Sequence, residues 1–139
     1  MGRILAIDYG LKRTGLAVTD PQRIIATALD TVETSSLLEF LKTYFQNEPV
    51  DEAVIGMPRQ LNNQDSEIAP AVRKFVSVFE ATFPDKPVRT VDERFTSSLA
   101  HQAMITGGMK KKDRQKKGNV DKISATLILQ TYLETVNLR

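Results

Sequence analysis

Acidic residues of this chain stand where strands and helices are predicted to end or begin. Asp8 closes a short apolar run at residues 3–8, and Asp92 and Glu93 close a later one. Asp121 lies in the first turn of the last predicted helix. In α/β sheets, functional groups gather near strand ends and neighbouring helix starts. Clustered carboxylates repel one another unless they are protonated or neutralised, and a divalent cation is a natural neutraliser.

The other residue types narrow the choice of metal. The chain has no cysteine and a single histidine, His101, so any metal must be held mainly by oxygen ligands. Mg²⁺ and Mn²⁺ prefer such ligands. Two of these cations about 4 Å apart can hydrolyse a phosphodiester bond.

The proposed roles divide the metals among the acids. Asp8 would bridge both cations, Glu93 would hold one and Asp121 the other. Asp92 would assist, or would point to the opposite face of its strand, and alternation alone leaves that choice open. Each acid also has an ordinary alternative role, as a turn residue or as a partner of a helix dipole.

Basic residues near these acids are candidates for binding phosphate groups. Lys12 and Arg13 lie between Gly10 and Gly15, in a segment that either cradles a phosphate or simply forms a hairpin turn. Arg94 would contact a substrate phosphate or pair with Asp92. The basic segment 107–119 contains Lys110, Lys111 and Lys112, and a charge run of this kind can track a nucleic-acid backbone. The loop residues Arg59 and 62–64 would line a binding groove or would simply form a polar loop, and His101 is interpreted as a helix-surface residue.

Hydrophobic periodicity predicts the elements that position these side chains. Apolar runs predict strands at 3–8, 16–20, 24–32, 51–56 and 88–93, and helical spacing predicts helices beginning near 34, 68, 95 and 120. Thr34 or Ser35 would cap the first helix, and Pro70 would occupy the first turn of the second. Three early strands followed by alternating helices and strands predict an α/β domain with a mixed sheet, antiparallel at its start and flanked by helices.

Bulk composition supports a single cytoplasmic domain. The 139 residues are a usual length for one domain spanning 1–139. The apolar stretch at the N-terminus is too short for a signal peptide and is interrupted by Asp8. No run approaches the roughly 20 apolar residues of a membrane helix, so no membrane partner is expected. The net charge of +2 says little, but the clustering of basic residues favours nucleic acid as a partner.

Taken together, the segments DYGLKRTGLAVTD, IGMPRQLN, VDERFTS and KGNVDKISATLILQ resemble the YqgF (RuvX) family over nearly the whole chain. The resemblance implies a ribonuclease-H-like fold related to the RuvC resolvases. Members are described as Holliday junction resolvases and as nucleases that mature the 5′ end of pre-16S rRNA. By motif, the family's acids fall on Asp8, on Asp92 and Glu93 with Arg94, and on Asp121. Its phosphate-proximal pattern falls on Asp8, Gly10, Arg13 and Gly15.

Several functions therefore compete. The favoured hypothesis is an endonuclease, a hydrolase of phosphodiester bonds, that processes pre-rRNA, with a ribosomal particle as a candidate partner. A Holliday junction resolvase would need a symmetric dimer, and the sequence leaves the oligomeric state open. A non-catalytic RNA-binding module is the alternative from another class. The Asp-x-Gly turn also occurs in actin-like kinases, but those need two such domains around a cleft, which 139 residues do not supply.

Overall fold

The structure is a computed structural model that describes residues 2–57, 68–92 and 124–133. Its strands are β1 (Arg3–Asp8), β2 (Arg13–Thr19), β3 (Ala26–Glu33), β4 (Val50–Met57) and β5 (Val88–Asp92). A 3₁₀ turn (Thr34–Ser36) leads into α1 (Leu37–Asn47), α2 spans Ile68–Thr82, and residues 124–133, here α3, are helical. Pro70 lies in the first turn described for α2, as predicted. The predicted helix beginning near residue 95 lies outside the described residues.

The strands form one mixed sheet in the order β3-β2-β1-β4-β5. β1, β2 and β3 are antiparallel neighbours, whereas β4 runs parallel to β1 and β5 parallel to β4. The predicted α/β class, with a mixed sheet that starts antiparallel and is flanked by helices, is confirmed. β1 is the central strand of the sheet, so its last residue, Asp8, lies in the middle strand, at the carboxyl edge that β1 shares with β4 and β5.

Two strands begin more than one residue away from their predicted starts. β2 begins at Arg13 rather than Leu16, because Arg13 pairs with Glu33 and Gly15 pairs with Asp8. Gly15 is therefore inside a strand and is not the turn glycine that the sequence suggested. β3 begins at Ala26 rather than at residue 24, and Ile24 and Ile25 are 66% and 63% exposed in the connection before it.

Alternation of side chains divides the sheet into two buried faces. The first, here the two-helix face, packs sheet residues against α1 and α2, with a core of Leu5, Ile7, Leu16, Val18, Ala53, Ile55, Leu37, Leu41, Val72, Phe75 and Phe79. The second, here the α3 face, packs Ile4, Ala6, Ala17 and Val54 against Ala125, Ile128, Leu129 and Leu133. The even-numbered residues of β1 belong to the α3 face, so Asp8 follows Ala6 onto that face.

A polar network joins the loops at the opposite, amino edge of the sheet. The Arg23 guanidinium donates to the Gly2 carbonyl (3.0 Å) and to the Asp51 carboxylate (2.7 Å). Arg23 holds a left-handed φ of 61° in the turn before β3. The Gly2 N–H also donates to Asp51, and this bond, helped by Arg23, lowers the pKa of Asp51 below its ordinary value of 3.8.

This network predicts an acid dependence of stability. A carboxyl whose pKa is lowered by folding stabilises the folded state above its unfolded pKa, and that contribution is lost as the pH falls through the folded pKa. The difference in unfolding free energy between the wild type and Asp51→Asn should therefore have its full size at pH 7 and should decrease below about pH 4. Thermal unfolding between pH 2.5 and 7 measures it, with the exposed Asp85→Asn as control. A difference that stays constant down to pH 2.5 would contradict the prediction.

Candidate active site

Asp8 is partly buried at the carboxyl end of the central strand. On β2 it pairs with Gly15, and on β4 the pairing of Ile7 with Ile55 brings Gly56 level with it. Both residues level with Asp8 on the adjacent strands are glycines, so neither of these two positions places a side chain beside the Asp8 carboxylate. This arrangement favours a binding site in which a ligand reaches the Asp8 carboxylate from above the backbone of the sheet.

The turn that follows Asp8 is fixed by hydrogen bonds to the start of the first helix. Thr34 Oγ1 donates to the Gly10 carbonyl (2.6 Å) and lies 2.9 Å from Thr14 Oγ1. The Thr34 N–H donates to the Lys12 carbonyl (3.0 Å). Both ends of the turn are thus held by one residue, and the path of the chain after Asp8 is defined.

Gly10 is required by the close approach of the chain within this turn. A Cβ at position 10 would collide with the carbonyl oxygen of Arg13. A side chain at this position would therefore force the turn to open.

The predicted role of Thr34 and Ser35 as helix caps is wrong. The N-cap residues are Glu33 for the 3₁₀ turn and Ser36 for α1, and neither makes a side-chain capping bond. Thr34 uses its hydroxyl to bind the turn beside Asp8 instead. No sequence pattern indicates this role, because the contact between Thr34 and Gly10 spans 24 residues.

The predicted phosphate-binding residues of this turn divide by position. Lys12 is exposed in the turn. Arg13 begins β2 two residues before Gly15, so alternation places it on the α3 face with Asp8. The Nε atom of Arg13 is buried. The predicted phosphate-binding segment is therefore limited to the turn after Asp8. Arg13 lies beside this turn, on the same face of the sheet as Asp8.

Strand β5 continues the same edge. Val91 pairs with Gly56, and position 92 pairs with Met57. Val91 packs in the α3-face core, whereas Met57 and Val88 pack against the two-helix core. The described side chains of β5 therefore alternate between the two faces of the sheet.

Helix α3 lies over the face that carries Asp8. The Tyr132 hydroxyl, near the C-terminal end of the described helix, donates to Glu52 (3.2 Å) at the start of β4. The helix rises about 12 Å from residue 124 to residue 132, and β4 rises about 13 Å from Glu52 to Gly56. The N-terminal end of α3 is therefore directed toward the carboxyl edge of the sheet.

The remaining predicted site residues lie outside the described part of the chain. They are Glu93, Arg94, Lys110, Lys111, Lys112 and Asp121, together with Arg59, 62–64 and His101. Within residues 2–57, 68–92 and 124–133, no group of three or more histidine, cysteine, aspartate or glutamate residues could hold a metal. In the same ranges, no helix is long and apolar enough to cross a membrane.

A solved structure identifies the class of fold. T. thermophilus RuvC, determined in complex with a Holliday junction substrate, superposes with a TM-score of 0.58 over 96% of each chain, at 17% identity. A central strand with antiparallel neighbours on one side and parallel neighbours on the other is thus the ribonuclease-H-like fold.

Sequence comparisons then identify the family. A family model described as "RuvX: Holliday junction resolvase" matches residues 2–135. A relative from Phocaeicola vulgatus, named "Putative pre-16S rRNA nuclease", is 58% identical over 135 residues, 97% of each chain. A Bacteroides fragilis relative with the same name is 54% identical over 138 residues, covering 99% of this chain and all of that one. The chain belongs to the RuvX family, and the predicted enzyme class, a nuclease hydrolysing phosphodiester bonds, is confirmed.

Proposed function

We propose that this protein is a divalent-metal-dependent endonuclease that processes the 5′ end of pre-16S rRNA. The observation that carries the proposal is the position of Asp8, at the carboxyl end of the central strand between Gly15 and Gly56. The substrate is supported by the name that its relatives share over nearly their whole length. The proposal treats residues 1–139 as one cytoplasmic catalytic domain.

The residues present fit Mg²⁺ or Mn²⁺ as the cofactor. The proposed ligands are Asp8, Glu93 and Asp121, all of them hard oxygen donors. Bound cations would supply charge neutralisation and a water acidified for attack on phosphorus. Asp8 fits such a site because it is partly buried and flanked on its own face by glycines. The N-terminal end of α3 is directed toward this edge, and Asp121 precedes the described part of that helix by three residues in the sequence.

The register of β5 favours Glu93 over Asp92 as a metal ligand. Position 92 pairs with Met57, on the two-helix face, and Val91 lies on the α3 face with Asp8. We take the alternation of the described β5 side chains as support for Glu93, rather than Asp92, as the acid that joins Asp8 at the metal. Asp92 is given a supporting role.

Positive side chains would hold the substrate backbone. Arg13 shares the face of Asp8, and a guanidinium can bind two phosphate oxygens at once. Lys12 is exposed in the adjacent turn. With Arg94 and the segment 107–119, these residues would orient the scissile phosphate against Asp8.

The basic segment gives a salt-dependence prediction. Replacing Lys110, Lys111 and Lys112 together by glutamine should weaken RNA binding and flatten the plot of log K against log salt by about 2 units, since each single-stranded phosphate contact contributes about 0.7. Fluorescence anisotropy from 50 to 300 mM KCl measures the slope. Lys42→Gln, an exposed lysine on α1, is the control. An unchanged slope in the triple variant would count against the patch.

Holliday junction cleavage is the second candidate function, because the matching family model carries that description. Purified protein should be incubated with Mg²⁺ or Mn²⁺ and either a precursor small-subunit rRNA fragment or a four-way DNA junction. Cutting of the RNA alone supports the proposal, and cutting of the junction alone would replace it with the resolvase. Binding of RNA with cutting of neither substrate would favour a non-catalytic RNA-binding module.

A further inference from the structure

A cavity opens on the two-helix face, directly behind the candidate active site. It has a volume of about 400 Å³ and is lined by Tyr9, Thr34, Ser35, Leu38, Ala71, Lys74, Phe75 and Val78. Tyr9 follows Asp8 in the chain, so the two side chains lie on opposite faces of the sheet at the carboxyl end of β1. The volume lies within the range of pockets that bind small organic groups.

The floor of this cavity is aromatic. The Tyr9 ring stacks on the Phe75 ring at a centroid distance of 4.9 Å and an interplanar angle of 28°. Phe75 is only 7% exposed, so it supports Tyr9 from behind and leaves Tyr9 as the ring available to a ligand. Leu38 and the half-exposed Val78 extend the apolar surface.

The rest of the lining is polar and cationic. Lys74 is exposed on α2, and Ser35 is exposed before α1. Thr34 contributes to the lining and also binds the Gly10 carbonyl, so the cavity and the turn beside Asp8 share a residue. An aromatic platform beside a cation and hydroxyl groups matches the chemistry of a nucleotide, with its flat base, phosphate and sugar hydroxyls.

We propose that this cavity is a nucleotide subsite, which stacks the base of an RNA nucleotide close to the phosphodiester held at Asp8. This inference rests on the proposed function, because it requires the RNA chain that is bound at Asp8 to continue across the carboxyl edge of the sheet into the cavity. Tyr9 stacks on the base, and Lys74 neutralises the phosphate of the same nucleotide. Because Thr34 lines the cavity and binds the Gly10 carbonyl, it couples binding in the cavity to the turn at Gly10. A protein side chain would use the apolar floor but would have no need of the ammonium group and hydroxyls.

The test compares two single-stranded RNA probes of equal length, one intact and one with every base removed. Wild-type protein should bind the intact probe at least about tenfold more tightly, as expected for stacking. Ala71→Phe fills the cavity from α2 and should remove most of the difference in affinity between the two probes. Ser77→Phe, an exposed position on the same helix outside the cavity, should keep it. The affinities are measured by anisotropy in EDTA, so that no cleavage intervenes.

A second pair of variants keeps the test valid if Ala71→Phe unfolds. Lys74→Gln should weaken binding of both probes equally, whereas Lys42→Gln should leave both unchanged. The proposed subsite would be wrong if folded Ala71→Phe kept the wild-type ratio of affinities for the two probes. It would also be wrong if Lys74→Gln bound both probes as tightly as the wild type. Because these measurements are made without cleavage, they are separate from the substrate test above, and failure of one is distinguishable from failure of the other.

Discussion

Asp8→Asn is expected to abolish RNA cleavage while leaving the fold intact. Asparagine keeps the size of the side chain but removes the charge that the proposed cations need. Metal stabilisation of a phosphoryl transition state is worth several kcal/mol, so the rate should fall about a thousandfold or more. The melting temperature should change by less than about 5 °C, because the substitution is nearly isosteric.

Single-turnover cleavage of the precursor rRNA fragment measures this effect, and calorimetry of Mn²⁺ binding should show weaker affinity in the same variant. Asp85→Asn, an exposed aspartate between α2 and β5, should cleave as the wild type does. Cleavage at the wild-type rate by Asp8→Asn would remove Asp8 from the active site.

Gly10→Ala is expected to have the second largest effect, on both activity and stability. The added Cβ would strike the Arg13 carbonyl, so the turn must open and Thr34 must release or follow the Gly10 carbonyl. Strain of this kind costs about 1–3 kcal/mol. Because the turn also begins the strand that carries Arg13, cleavage should fall at least about tenfold, in keeping with the sensitivity of catalysis to small displacements.

Gly2→Ala provides the matched control at the opposite edge of the sheet. Its Cβ would meet the Asp51 side chain and lie 3.0 Å from the Asp51 backbone nitrogen, so the bonds of Asp51 to Gly2 and Arg23 must shift. We expect a loss of stability there as well, but unchanged cleavage per folded molecule. Equal cleavage by Gly10→Ala and Gly2→Ala would show that the geometry of the turn has no part in catalysis.

The sequence predicts the sheet well where the apolar runs are continuous. β1 and β4 are buried on both faces, so their runs at 3–8 and 51–56 stand out against polar flanks. β2 was predicted too short because Gly15 looks like a turn residue, and its place in the strand depends on pairing with Asp8.

The site itself was only partly predictable. Asp8 can be proposed from the sequence because it ends the most apolar strand, whereas the contacts of Thr34 cannot be predicted because its partners in the turn are far away in sequence. The choice between Asp92 and Glu93 depends on which face Val88 and Val91 occupy, and alternation within β5 alone does not reveal that. Their register against β4 supports the assignment of Glu93 that we propose.

Dependence of cleavage on a divalent cation tests the central claim most directly. Protein stripped with EDTA should be assayed on the precursor rRNA fragment with no added metal and then with increasing Mg²⁺ or Mn²⁺. We predict no cleavage without metal, and saturable recovery with either cation in the wild type but not in Asp8→Asn. Undiminished cleavage by the stripped wild-type protein would contradict a metal site at the carboxyl edge of the sheet.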